Sequence, residues 1–249
     1  MKAAFGVSRR VIQSYACAMA GTILITGASR GIGLALSIAF ARAGWHVFSG
    51  ARKEKAPLLW NTSKELPNIT PLVLDVLDDI SVREAVGLIG NEIGSLDILV
   101  NNAAVFPGEG NERLADLDLA WFGEAVETNV TGVARVTREC LPLLRKGSQP
   151  RVVNISSGAG SIGDKEDYDY YPYSVSKAGL NMLTRAMAAE FRPEGIVVTA
   201  LSPGWVQTEM GGPNAPLSPE QSAHSLHATI CRLTLADSGR FLGRDGQAG

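Results

Sequence analysis

Short apolar, β-branched runs alternate along the chain with longer stretches in which apolar residues recur every three or four positions. The short runs fall at 22–26 (TILIT), 46–49, 71–74, 97–100, 151–155 and 196–201, with a last brief one at 240–242. Amphipathic helices are predicted over about 32–43, 80–93, 121–145 and 174–192, and one more within the tail 216–249. Near-continuous apolar strands separated by helix-length segments indicate a parallel sheet buried on both faces and built from βαβ units. Right-handed crossovers then give an α/β, single-domain, Rossmann-type, doubly wound sheet of about seven strands with helices on both faces. No internal repeat and no linker divides the chain, so residues 21–249 are read as one domain. The stretch between the second and third of the short runs reads as a polar loop.

The preceding residues, 1–20, carry Lys2, Arg9 and Arg10 with no acid. They are expected to lie outside the fold as a disordered extension. Either they are an organelle-targeting segment, or the natural start is Met19. With 45% hydrophobic residues, the 249-residue chain is too apolar to be disordered. A net charge of -2 gives no reason to expect nucleic acid as the main partner. No apolar run is long enough for a transmembrane helix. Cys17, Cys140 and Cys231 form no CxxC, and His46, His224 and His227 form no ligand cluster, so no metal site is expected. The chain reads as cytoplasmic, with organelle targeting by residues 1–20 the alternative.

The first strand runs into a glycine turn and then a helix, TILITGASRGIGLALSIAFARAG, with Gly27, Gly31 and Gly33 spaced G-x3-G-x-G. Glycines there let backbone N–H groups approach a pyrophosphate lying at the positive end of the helix. The spacing is not the G-x-G-x-x-G fingerprint. That pattern does occur at Gly158, Gly160 and Gly163, but the following DKEDYDYYP is acidic and ends in proline. This second segment is read as a flexible active-site loop.

Of the tyrosines crowded at 168–173, only Tyr173 has a lysine four residues on. Tyr173 and Lys177 therefore share one helix face. A phenol with an ordinary pKa near 10 is a poor acid or base at neutral pH, and an adjacent ammonium brings it toward the working range. Ser157 follows the fifth strand, where its hydroxyl can meet the same substrate oxygen.

These motifs resemble the short-chain dehydrogenase/reductase family. TGASRGIG from Thr26, LDV from Leu74, NNAA from Asn101, NVTG around Asn129, NISS from Asn154, YSVSK from Tyr173 and SPGWVQT from Ser202 occur in the family's order. The likeness covers about 21–242. GGPNAPLSPEQS and GRFL look like the branch that contains the carbonyl reductase Sniffer and bacterial C-factor. NNAA stands where the family more often has NNAG, and the stretch between Ser157 and Tyr173 is longer than usual.

The resemblance implies a catalytic tetrad of Asn129, Ser157, Tyr173 and Lys177. Tyr173 exchanges a proton with the substrate oxygen as hydride moves, and Ser157 hydrogen-bonds that oxygen. Lys177 holds the nicotinamide ribose and acidifies Tyr173, while Asn129 holds a water. It also implies cofactor contacts from Gly27, Ser29, Arg30, Gly31, Ile32 and Gly33, and from Asp75 and Val76. Asn101, approaching the adenine ribose, and Ala103 follow, with Pro203, Gly204, Val206 and Thr208 on the nicotinamide side. The expected activity is oxidoreduction between an aldehyde or ketone and an alcohol. A C-factor-like signalling or nucleotide-sensing protein is the alternative.

The second strand ends SGARKEK, where an NAD enzyme would place an acid for the ribose 2′-hydroxyl. Here Arg52 can bind a 2′-phosphate, with Arg30 as a second cation, so NADP(H) is favoured over NAD(H). The expected substrate pocket, around 105–109, 158–171 and the segment after Gly204 with Trp205 and Met210, has no arginine clamp. A neutral small-molecule carbonyl is the expected partner. The helices at 121–145 and 174–192 are where this family commonly forms homodimers and homotetramers, and the sequence does not choose among these and a monomer.

Overall fold

The alternation of strands and helices becomes one seven-stranded sheet in the computed structural model, which describes residues 20–52 and 56–248. The N-terminal extension thus falls almost wholly outside the described residues. In order, the chain forms β1 (Thr22–Thr26), α1 (Gly31–Arg42), β2 (His46–Ala51), α2 (Pro57–Glu65), β3 (Ile69–Val73) and α3 (Asp79–Glu92). Then come β4 (Ile98–Asn101), α4 (Ala120–Val126), α5 (Gly132–Leu144), β5 (Arg151–Ile155), α6 (Tyr171–Phe191), β6 (Val197–Ser202), α7 (Pro219–Arg232) and β7 (Phe241–Gly243). The strands pair in the order β3-β2-β1-β4-β5-β6-β7, all parallel.

The strands of the sheet's centre are mostly apolar, yet the two faces are distinct because successive side chains point to opposite sides. Ile23, Ile25, Ile98, Val100 and Val153 pack on one face with Leu36 and Phe40 of α1 and Leu226 and Ile230 of α7. Leu24, Leu99 and Val152 pack on the other with Val82 and Ile89 of α3, Val136 and Cys140 of α5 and Leu180 of α6. The strand order reverses between β1 and its neighbours β2 and β4. A crevice opens beyond the carboxyl ends of strands at such a reversal.

Several details depart from the sequence expectation. The segment read as a loop contains α2, a short helix started by Pro57 and burying only Leu59. The stretch expected as one helix over 121–145 is α4 and α5 joined by a π-helical turn at Glu127–Thr131. β3 carries Pro71 at its middle, which an edge strand tolerates because one side of its backbone has no partner. Leu74 donates its N–H inward to Ala51, so by alternation the nitrogen of Pro71 lies on the outer side. Among the described residues no helix is long and apolar enough to cross a membrane.

Candidate active site

The crevice is a cleft of about 850 Å³. Its floor is the glycine turn after β1. Gly27 and Gly31 have φ of 66° and 56°, the left-handed region where a side chain is disfavoured. Space forbids one as well: a Cβ on Gly27 would lie 2.7 Å from Ala103 Cα, and on Gly33 2.5 Å from Gly27 O and Asn102 Nδ2. Thr26 Oγ1 accepts from the N–H groups of Asn102 (3.0 Å) and Ala103 (3.1 Å). The Asn102 amide donates back to Thr26 O (2.9 Å) and Gly27 O (3.1 Å).

The turn delivers the chain to the start of α1, whose N-cap, Arg30, is extended and supplies no side-chain cap. No acid stands in the first turn either. Free N–H groups and the positive dipole end therefore face the cleft, which suits an anionic phosphate. Arg30 lines the cleft and pairs with Glu209 across it at 2.6 Å. Arg52, just past β2, lines it too and has no ionic partner among the described residues. A dinucleotide with an added phosphate fits these donors.

Ser29, Ile32, Asp75, Val76, Ala103, Pro203, Gly204, Val206 and Thr208 also line the cleft. Asn101 does not, contrary to the expectation that it approaches the adenine ribose. Its side chain is buried under the sheet, donating to Thr137 (3.1 Å) and to Asn154 (2.9 Å), with Oδ1 left unpaired. The neighbouring Asn102 lines the cleft instead, one residue along a strand being one change of face. The sequence reading passed over Asn102, although the NNAA motif contains it.

At the other end of the cleft stand Ser157, Tyr173 and Lys177. The two serines after β5 both border the cleft but differ in their bonding: buried Ser156 donates to Asn181 (2.7 Å), while Ser157 is the N-cap of a 3-10 turn at Gly158–Gly160. Within the stretch expected as a flexible loop, this first turn is packed. A Cβ on Gly160 would lie 2.7 Å from the Lys177 carbonyl carbon, so glycine brings the turn against α6. α6 begins at Tyr171 with Pro172 in its first turn, three residues earlier than expected.

Burial pushes the Tyr173 phenol above its ordinary value, and a hydrogen bond with Ser157 pulls it back in part. Lys177 is 2% exposed and donates to Ile155 O at 2.9 Å. Burial brings its ammonium down to about 8. Its Nζ lies 5.5 Å from the centre of the Tyr173 ring. Burial of the phenol therefore dominates, and the influence that lowers its value is the Ser157 hydrogen bond rather than the expected acidification by the ammonium.

Asn129 sits in the π-helical turn, fully buried. Its Oδ1 accepts from Val105 N–H (2.9 Å), and its amide donates to Val105 O (3.0 Å) and Ser176 (2.9 Å). The side chain is thus fully engaged with the loop at Val105 and with α6. Nothing in the sequence pattern signalled the turn.

The geometry is a phosphate cradle at one end of a cleft and a phenol, a hydroxyl and an ammonium at the other. That combination suits proton exchange with an oxygen beside a bound nucleotide. The likeness to known proteins is consistent. C-signal of Myxococcus xanthus is 42% identical over 154 residues, covering 61% of this chain and 91% of its own. NADPH-dependent pterin aldehyde reductase of Arabidopsis thaliana is 36% identical over 230 residues, covering 90% and 93%. The solved carbonyl reductase Sniffer of D. melanogaster superposes with a TM-score of 0.86 at 30% identity, over 92% of this chain and 99% of its own. The sequence profile of the short chain dehydrogenase family matches residues 21–216, and with the fold and motifs above this chain belongs to that family.

Proposed function

We propose that the protein is an NADPH-dependent carbonyl reductase in which Tyr173, Ser157, Lys177 and Asn129 carry the chemistry. The observation that carries this reading is the convergence of Tyr173, Ser157 and Lys177 in the same cleft as the uncapped start of α1. Arg30 and Arg52 favour a cofactor bearing a 2′-phosphate, and the absence of an acid after β2 leaves that phosphate unrepelled. The name of the Arabidopsis relative supports the same choice. The cofactor, when bound, supplies the hydride.

The chain's own residues do the rest. Gly27, Gly31 and the first turn of α1 hold the pyrophosphate, Asp75 and Val76 flank the adenine, and Pro203, Gly204, Val206 and Thr208 border the nicotinamide. The Ser157 hydroxyl hydrogen-bonds the carbonyl oxygen and steadies the charge that develops on it. Tyr173 passes its phenolic proton to that oxygen, and takes it back in the oxidative direction. Lys177 places a positive charge beside the phenol, which offsets part of the cost of the phenolate. Asn129 fixes the loop at Val105.

The test is oxidation of NADPH and NADH, side by side, against a quinone and a panel of small aldehydes. NADPH consumption well ahead of NADH supports the reading. NADPH binding with no turnover on any carbonyl overturns it.

A further inference from the structure

Tyr170 is the one non-glycine residue of the described chain with a left-handed backbone, φ 65° and ψ 37°. Side chains avoid this region, and such strain persists only where the surroundings hold it. Here they do. The Tyr170 N–H donates to Gly110 O at 2.8 Å, and the Ser174 N–H donates to Tyr170 O at 2.7 Å. The ring meets Phe106 edge-on with centroids 5.4 Å apart, and Lys165 Nζ stands 5.7 Å from its centre. Gly110 is itself left-handed, and a Cβ there would lie 2.6 Å from the Tyr170 ring carbons and 2.8 Å from Phe106. The turn at Gly110 is thus shaped around these two rings.

Yet the residue so firmly held is 40% exposed and lines the cleft. Phe106 continues the wall inward, its ring 5.0 Å from that of Tyr173. Trp205, from the segment after β6, lines the same cleft. Its Nε1–H donates to Gly211 O at 2.7 Å, which fixes the indole while leaving the residue 58% exposed. Rigid aromatic faces left uncovered beside a reactive phenol offer stacking and edge contacts to a flat ring, at little cost in side-chain ordering. The arginines that line the cleft among the described residues, Arg30 and Arg52, stand at the glycine turn and after β2, and the ammonium beside this wall, Lys165, is paired with Asp167, so no uncompensated cation here calls for a carboxylate or phosphate.

We infer that this site takes uncharged aromatic aldehydes and ketones, with Tyr170 as the residue that selects for a flat ring. The inference rests on the carbonyl-reductase reading of the cleft. The remaining question is how to separate the ring from the backbone that carries it. Asparagine accepts a left-handed backbone well, so Tyr170→Asn removes the ring while keeping the turn, and Tyr170→Phe keeps both ring and turn.

The test uses the full chain with benzaldehyde and cyclohexanecarbaldehyde, a flat and a puckered ring bearing the same group. NADPH oxidation gives kcat/KM for each, and calorimetry in the presence of NADPH gives each affinity. The benzaldehyde-to-cyclohexanecarbaldehyde ratio is expected to fall about five- to tenfold in Tyr170→Asn, through KM, and to be kept in Tyr170→Phe. An unchanged ratio in Tyr170→Asn overturns the inference, as does a wild-type affinity favouring the puckered ring. Turnover of neither aldehyde with NADPH bound sinks the reductase reading instead, and the two calorimetric affinities then decide the ring preference alone.

Discussion

Lys177 is an ammonium with almost no contact with water and, among the described residues, one acceptor, the carbonyl of Ile155. Its pKa falls from the ordinary 10.5 to about 8 because burial disfavours the charge. At about 1.4 kcal/mol per pH unit of displacement, the charged lysine costs the fold about 3 kcal/mol at neutral pH. The unfolded chain keeps this proton up to about pH 10.5, whereas the folded protein releases it near 8. Between those values the unfolded state binds more protons, so the lysine's penalty is full below pH 8 and fades as pH rises toward 10.5.

Lys177→Met keeps the length of the side chain and removes the charge. It leaves Ile155 O unpaired, at a cost of about 1–2 kcal/mol. The net expectation is a variant about 1–2 kcal/mol more stable than wild type at pH 7, or roughly 2–8 °C in Tm for a domain of this size. Near pH 10 the order should reverse, since wild type then keeps its hydrogen bond without its charge. Thermal unfolding of both proteins at the two pH values, without added cofactor, measures this directly. A gap of the same sign and size at both would refute the argument from burial.

Tyr173→Phe should lower turnover about 10²–10⁴-fold. NADPH affinity, read by fluorescence titration, should change little. Arg52→Ala should raise KM for NADPH about tenfold or more, and KM for NADH less than twofold. Glu209→Gln frees Arg30 from an exposed pair, and a modest fall in KM for NADPH, about twofold, is expected from steady-state kinetics. Asn154→Ala breaks a buried chain from Asn101 through Asn154 to Thr184 and should cost about 2 kcal/mol, seen as a drop of about 4–8 °C in Tm.

The strands and their alternation were legible because a buried parallel sheet writes itself as uninterrupted apolar runs. The glycine turn was legible because Gly27 and Gly31 need a backbone that other residues resist. Tyr173 and Lys177 were legible through a helical spacing that survives any detail of packing. What the pattern concealed depends on single-residue geometry. Asn101 and Asn102 are identical letters facing opposite ways, and which one lines the cleft depends on the parity of β4. The π-turn around Asn129 adds no residue type that a straight helix lacks. Gly160 reads in the sequence as part of a flexible loop, and its meaning lies in the approach of α6, which no local signal carries. The shifted values of Tyr173 and Lys177 come from burial, which spacing cannot express.

Pro71 has a consequence for how copies of this chain can meet. An exposed strand ordinarily offers a ladder of unpaired donors on which a second strand can grow. The outer side of β3 has its ladder broken in the middle, because the nitrogen that should donate there carries a ring instead. The opposite border is guarded differently. β7 is only three residues long, and the chain beyond it folds back so that Leu242 bridges Ala248 antiparallel and Gly243 N–H donates to Gln247 O at 2.8 Å. Among the described residues both borders of the sheet are thus poor templates for an eighth strand, which lowers the tendency to edge-to-edge pairing.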